Sequence, residues 1–402
     1  MILKETLAEV SITQRKMLLG TPPGIKREKL ISIEITPGFA LVISGIRRCG
    51  KSTLLRQIIK NEKSFHYLNF EDIRIFGFEA KDFTRLNEIF DNMHGDLIYF
   101  FDELQNVKDW ERYIRSLVDQ KKRVVITGSN ASMLSRELGS KLTGRHLRYE
   151  LFPFSFNEFL LFENKKAALV TIVDYLKRGG FPEYLKSGNE LILQELFNDI
   201  ISRDIIVRHG IRNDKIVKDL ALYLLSNIGK EFTYNSLKKI YNLGSVNTII
   251  SLIGYFEDSY LLFTIPQFDY SYKKQLVKPK KVYAVDTGLI NANTVSFSQD
   301  KGRLLENLIF IQLKRRGDEV YYFKQKKECD FIVRNKNKEL STFQVCYIIT
   351  EENKEREIAG LAEALEYLKL DEGIIITADQ TDIFEYKDKR IKVIPAWKWL
   401  TE

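Results

Sequence analysis

The sequence predicts an α/β fold in which a parallel sheet covered by helices occupies residues 1–155. Three observations carry this. Short apolar runs rich in β-branched and aromatic residues recur through that stretch. Segments with helical spacing separate them, and that alternation is the pattern of a parallel sheet. Beyond residue 155 the alternation stops, and the chain reads mostly helical to Asn227.

The elements follow in order. Residues 39–44 (FALVIS) form the first strand and end at a glycine, and helical spacing resumes over 52–60. Residues 64–69 read as a second strand. Residues 96–101 (DLIYFF) are continuously apolar, as expected of a strand buried on both faces. Residues 123–127 (RVVIT) and 147–151 supply the fourth and fifth strands. Past the helical stretch, which Gly179-Gly180-Phe181-Pro182 interrupts, residues 232–263 read as helix, turn, helix and a β-like end. Residues 282–286 suggest a hairpin, with the lysine-rich stretch 272–281 as an exposed connector or basic wing. From Gly302 the pattern is helix, strands, helix, strand. A chain of 402 residues exceeds one ordinary core, so several domains are expected.

Composition narrows the class. At 44% hydrophobic and 29% charged the chain is expected to fold rather than remain disordered. No apolar run approaches the ~20 residues that cross a membrane, and the first ten residues have no apolar block, so a cytoplasmic protein without membrane contact is expected. Three widely spaced cysteines (Cys49, Cys329, Cys346) and four histidines support neither a disulfide framework nor a zinc site. The net charge of +8 permits nucleic-acid binding without demanding it.

The strongest chemical signal is Gly45-Ile46-Arg47-Arg48-Cys49-Gly50-Lys51-Ser52, a full match to G-x-x-x-x-G-K-[ST] between a strand and a helix. Glycines let successive backbone N–H groups turn inward around phosphate oxygens, and the helix presents its N-terminus to the same anion. ATP is the expected ligand. These eight residues and Thr53 are expected to bind it, with Lys51 on the β- and γ-phosphates and Ser52 on Mg²⁺. Arg47 and Arg48 are unusual inside such a loop and can meet phosphate, an acid or solvent.

The buried strand ends in Asp102-Glu103. Asp102 there is placed to hold Mg²⁺, and Glu103 to polarise the attacking water, which makes hydrolysis the expected activity. After the fourth strand, Ser129 or Asn130 is expected to face the γ-phosphate, the competing reading being a helix cap. Arg145, just before the fifth strand, is a candidate finger acting on a neighbouring subunit of a homo-oligomer, with Arg136 and Arg148 as rivals.

Together GIRRCGKSTLL, FFDELQN, TGSNASML, TGR, LFPFSFNEFL and GGFPEYL resemble a widespread archaeal and bacterial AAA-type P-loop ATPase family related to the STAND NTPases. The downstream region resembles the domain of unknown function usually fused to it, a winged helix followed by a module similar to PD-(D/E)xK nucleases. The resemblance implies an ATPase core over 1–155, a helical lid over 156–204, a winged-helix domain over 205–295 and a restriction-endonuclease-like α/β domain over 296–402. It makes Asp102 and Glu103 the Walker B acids and matches Gly180 and Pro182 to the lid.

Nuclease chemistry of that type needs a helix glutamate, a strand aspartate and an acid-x-lysine pair around Mg²⁺. Glu306 and Asp330 fit the first two positions, but Gln344 stands where an acid is expected and Cys346 where lysine is expected. Glutamine brings no charge, and a thiol cannot replace an ammonium, so weak or absent cleavage is expected. Two functional classes follow: an ATPase associated with DNA through its C-terminal half, or an ATP-dependent switch whose C-terminal half binds a protein.

Overall fold

A computed structural model describes residues 2–62, 64–91, 97–129, 144–294 and 300–402. The chain divides into two compact units, Met1–Phe152 and Pro153–Glu402.

The first unit is a five-stranded parallel sheet with strands β1 (Ala40–Ser44), β2 (Phe65–Asn69), β3 (Ile98–Asp102), β4 (Arg123–Gly128) and β5 (His146–Glu150). Their order across the sheet is β2-β3-β4-β1-β5. All five strands therefore end at one edge, where the loops after β1, β3 and β4 lie side by side. β3 is buried at every position, which explains its unbroken apolar sequence. Helices α1 (Lys4–Gly20), α2 (Lys51–Ile59), α3 (Asp82–Phe90) and α4 (Trp110–Asp119) complete the described unit. In α4, Trp110, Tyr113, Ile114, Leu117 and Val118 recur at helical spacing and all are buried. Local pattern in the first twenty residues does not predict α1. It buries Leu7 and Val10 in the same core, and Gln14 binds the end of β2 through Asn69 N (2.8 Å) and Asn69 O (3.0 Å).

The second unit opens with α5 (Phe156–Glu163), which a Ser155/Glu158 capping box starts. Helices α6 (Leu169–Arg178), α7 (Pro182–Ser187) and α8 (Leu191–Asp199) follow, α8 running on as a wider π-type turn over Ile200–Val207. Next come α9 (Asp214–Ser226), β6 (Glu231–Phe232), α10 (Tyr234–Ile240), α11 (Val246–Asp258), β7 (Leu262–Pro266), α12 (Tyr272–Val277) and β8 (Lys280–Ala284). β6, β8 and β7 form a three-stranded antiparallel sheet in that order.

After α13 (Thr287–Asn293) and α14 (Lys301–Arg316) come β9 (Glu319–Lys324), β10 (Glu328–Arg334), β11 (Leu340–Val345), α15 (Glu351–Leu368), β12 (Glu372–Thr377), β13 (Asp382–Tyr386), β14 (Lys389–Pro395) and α16 (Ala396–Trp399). Their six-stranded mixed sheet runs β13-β14-β12-β11-β10-β9, with α15 packed on it through Leu361, Ala364 and Leu365.

The division between the two compact units falls at Phe152/Pro153. Within the second unit a joint is visible in Asp286, whose buried carboxylate accepts hydrogen bonds from Gly180 N (2.6 Å) and Leu289 N (3.0 Å). It ties the helical stretch to the start of α13, which packs on α6 and α8.

Candidate active site

The site begins where β1 runs out. At Gly45 a side chain has no room, because a Cβ would lie 2.0 Å from Leu151 O. The loop then turns through Arg48 (φ 62°) and Gly50 (φ 101°) before α2 starts at Lys51. Both residues sit in the left-handed region, which is how consecutive peptide N–H groups are aimed into one concavity. Ile46 and Cys49 are fully buried and fasten the loop, the Cys49 thiol lying 3.4 Å from Leu151 O. Lys51 is also buried; its Nζ donates to Gly45 O (3.1 Å) and Ile46 O (3.2 Å) and lies 4.0 Å from Glu103 Oε1. Thr53 Oγ1 accepts from Arg56 Nη2 at 2.9 Å.

Asp102 is buried at the end of β3. The hydroxyls of Ser52 and Thr127 both hydrogen-bond its carboxylate, and Tyr67 Oη approaches it at 3.3 Å. Burial pushes the Asp102 carboxyl up from its ordinary range, and the neighbouring Glu103 charge adds to this. Burial and Glu103 likewise raise Glu71, whose Oε1 is 4.0 Å from Arg47 Nη1. Glu103 itself is held in a left-handed conformation (φ 53°). Its N–H donates to Thr127 Oγ1 (3.1 Å), and Gln105 Nε2 bridges its Oε2 to Ser129 Oγ.

This arrangement fits Mg²⁺-ATP. Ser52 and Asp102, the two expected metal ligands, already touch. Three acids crowd one edge with a buried lysine whose only described neutral partners are two loop carbonyls. Such crowded negative charge is relieved by a divalent cation.

The structure thus gathers the loop 45–52, Asp102, Glu103 and Ser129 at one edge. Asn130 and Arg136 lie outside the described residues. Arg145 does not join them. Its main-chain oxygen accepts from Ala40 N (3.1 Å), the first residue of β1, and its guanidinium pairs with Asp119 at 2.7 Å. It therefore sits at the amino edge of the sheet, a strand's length (about 15 Å) from the loop of its own chain. Arg148 lies mid-strand, its Nε donating to Ser44 Oγ at 3.3 Å.

Three contributors escaped the sequence reading. Arg27, 1% exposed, donates from Nη1 to Cys49 O and from Nη2 to Phe152 O, both at 2.7 Å, bracing the loop from beneath. Thr127 meets Asp102 only because β4 lies beside β3. Gln105 follows Glu103 by two residues, and that proximity is the available hint.

In the second unit Glu306 on α14 and Asp330 on β10 meet in the interior, both accepting from Lys281 Nζ at 3.2 Å. Burial, together with the Glu306 charge, lifts the Asp330 carboxyl to about 7. Gln344 stands beside it, its Oε1 accepting from Asp330 N at 3.2 Å. The Cys346 thiol contacts Ile348 O at 3.1 Å, and burial pushes its pKa to about 11, so it carries no charge there.

Residues 38–160 match the family model of an AAA domain, 170–300 a domain of unknown function (DUF8612) and 301–399 another (DUF4143). The uncharacterized protein MJ1544 of Methanocaldococcus jannaschii is 37% identical over 434 residues, covering 99% of this chain and 96% of its own. An uncharacterized protein of Haemophilus influenzae is 33% identical over 353 residues, 82% of this chain and 88% of that one. Among solved structures, the replication initiator DnaA bound to AMPPCP and single-stranded DNA aligns with TM-score 0.29 and 16% identity over 57% of this chain and 85% of its own. The S. cerevisiae Hsp104–ADP complex aligns with TM-score 0.32 and 14% identity over 63% and 42%. Among the described residues, no helix is long and apolar enough to cross a membrane.

Proposed function

Since the chain belongs to one family with the uncharacterized M. jannaschii protein MJ1544 and carries an AAA domain at residues 38–160, we propose that it hydrolyses Mg²⁺-ATP at the loop 45–52, with Glu103 as the base. The observation that carries this is the contact of Ser52 with buried Asp102, beside a Glu103 that Gln105 holds in place.

Each residue has a physical task. The loop's N–H groups and the first turn of α2 cradle the phosphates. Lys51 exchanges its bonds to Gly45 O and Ile46 O for phosphate oxygens. Mg²⁺ held by Ser52 and Asp102 would supply neutralisation of the phosphate charge. Glu103 accepts a proton from the attacking water, and Ser129, tied to it through Gln105, fixes its orientation. Arg145 retains only the role of acting on a neighbouring copy.

Lys51→Ala is the direct test of binding. In the wild type, ATP at a hundred times its Kd is expected to stabilise the chain by about 2.7 kcal/mol, seen as a rise in Tm. The variant is expected to keep its Tm without ATP and lose the rise; a variant that still binds ATP with wild-type affinity would contradict the assignment.

Association with DNA is the second reading. The order α9-β6-α10-α11-β7-α12-β8, with a short helix between the last two strands, supports a winged-helix reading of that segment. α11 carries Asn247, Thr248 and Ser251 but no lysine or arginine. Charge is concentrated instead between β7 and β8, where Tyr270, Tyr272, Lys273 and Lys274 are exposed. That composition favours backbone contact and stacking over base readout. Expected is DNA binding whose affinity falls steeply between 50 and 200 mM salt, less steeply in Lys273→Ala/Lys274→Ala. Nucleotide-dependent self-association with no DNA binding at low salt would favour the switch reading instead.

A further inference from the structure

The second pocket contains something the nuclease resemblance does not provide for. Lys281 on β8 is 2% exposed, and its Nζ lies 2.8 Å from Glu328 Oε1, 3.2 Å from Glu306 Oε1 and 3.2 Å from Asp330 Oδ1. An ammonium has three donors, and three carboxylates take them one each. Two further donors engage these carboxylates. Tyr283 Oη donates to Glu306 Oε1 (2.7 Å) and Val345 N to Asp330 Oδ2 (2.9 Å). Burial pulls the Lys281 pKa down, yet Glu306 and the neighbouring acids outweigh it and raise it well above its ordinary value.

A divalent ion would need these same oxygens at about 2.0–2.6 Å. The ammonium already occupies the point on which they converge, and a second cation within ~4 Å of it would be strongly repelled at this depth. Glu357 does not supply a further free carboxylate. Gln344 Nε2 donates to Glu357 Oε2 (2.7 Å), and Glu357 Oε1 is already bound by Arg356 (2.6 Å). Among the described residues no group of three or more His, Cys, Asp or Glu side chains is arranged so that it could hold a metal ion. The residues do not fit the metal that a nuclease of this kind requires.

We propose that Lys281 is the resident cation of this pocket, standing in permanently for a divalent metal and clamping β8 to α14 and β10. The pocket is then an interior ion-pair joint, closed to metal by its own side chain. This inference is independent of the ATPase assignment.

The test is Mn²⁺ binding to the full chain by electron paramagnetic resonance, without nucleotide and in an Asp102→Asn background that silences the other metal candidate. With Lys281 present, no Mn²⁺ binding that depends on Asp330 is expected. Lys281→Met is expected to bind one Mn²⁺ at least about tenfold more tightly, through removal of the repelling charge, and Lys281→Met/Asp330→Asn to lose it. Two results overturn the proposal: Mn²⁺ binding in the parent that Asp330→Asn abolishes, or a folded Lys281→Met that gains none. Should Lys281→Met fail to fold, Lys281→Met/Glu306→Gln/Glu328→Gln, which removes the uncompensated charges, is expected to fold. Failure of that variant as well would show that charge compensation is not what Lys281 supplies.

Discussion

Glu103→Gln is expected to lower ATP turnover by about 10²–10⁴-fold, the usual contribution of a positioned general base, while ATP still raises Tm as in the wild type. The substitution keeps size and hydrogen-bonding reach but removes the proton acceptor. The backbone is not expected to move, because the left-handed conformation of residue 103 is held by its N–H bond to Thr127 Oγ1, not by the side chain. Phosphate release and thermal shift together separate the two effects. Turnover at the wild-type rate would remove Glu103 from the mechanism and leave Ser129 or a residue outside the described set as the group acting on water. Gln105→Ala is the graded companion: it frees the Glu103 carboxylate without removing it, so its loss should be smaller.

Asp286→Ala is expected to destabilise the second unit by about 3–5 kcal/mol, measured by urea unfolding. The estimate follows from stranding the buried N–H groups of Gly180 and Leu289 at roughly 1–3 kcal/mol each, together with the cavity left by the carboxylate. A cost below about 1 kcal/mol would mean that water replaces the carboxylate and that the joint is not held by it. The pH dependence gives a second readout. Burial raises the Asp286 carboxyl from its ordinary value of 3.8 to about 6, its bonds to backbone N–H groups offsetting only part of the shift. Between these values the folded chain binds more protons than the unfolded one, so this group's contribution to stability is full below pH ~4 and is lost as pH rises through about 6. Asp330, lifted to about 7, adds a loss of the same sign that extends to higher pH. Asp286→Ala should therefore flatten the fall in urea midpoint between pH 4 and 6 and leave the part between 6 and 7.

Much of the candidate nucleotide site is legible because phosphate binding is a local property. Eight consecutive residues between a strand and a helix carry the loop, and the apolar run before Asp102 and Glu103 marks a strand buried on both faces. Parallel-strand sequences announce themselves in the same way, and all five expected strands lie within a residue or two of where they form. Local pattern also records that residues 344 and 346 carry neither a carboxylate nor an ammonium.

Strand order was another matter. Periodicity says that a segment is a strand, not which strand lies beside it. Only the order β2-β3-β4-β1-β5 sets Thr127 against Asp102, brings the loops after β1, β3 and β4 to one edge, and leaves Arg145 at the opposite one. Arg27 beneath the loop gave no signal in its own neighbourhood. Lys281 reads as one more lysine in a basic run, because the acids that define it are 25, 47 and 49 residues away in sequence. The sequence by itself determined the local pattern that consecutive residues can build: a glycine-rich loop between a strand and a helix, and a pair of acids at a strand end. Tertiary structure alone decided which distant charges share a buried space, since a buried ion is stable only where the fold delivers its partners, and local sequence pattern does not record that delivery.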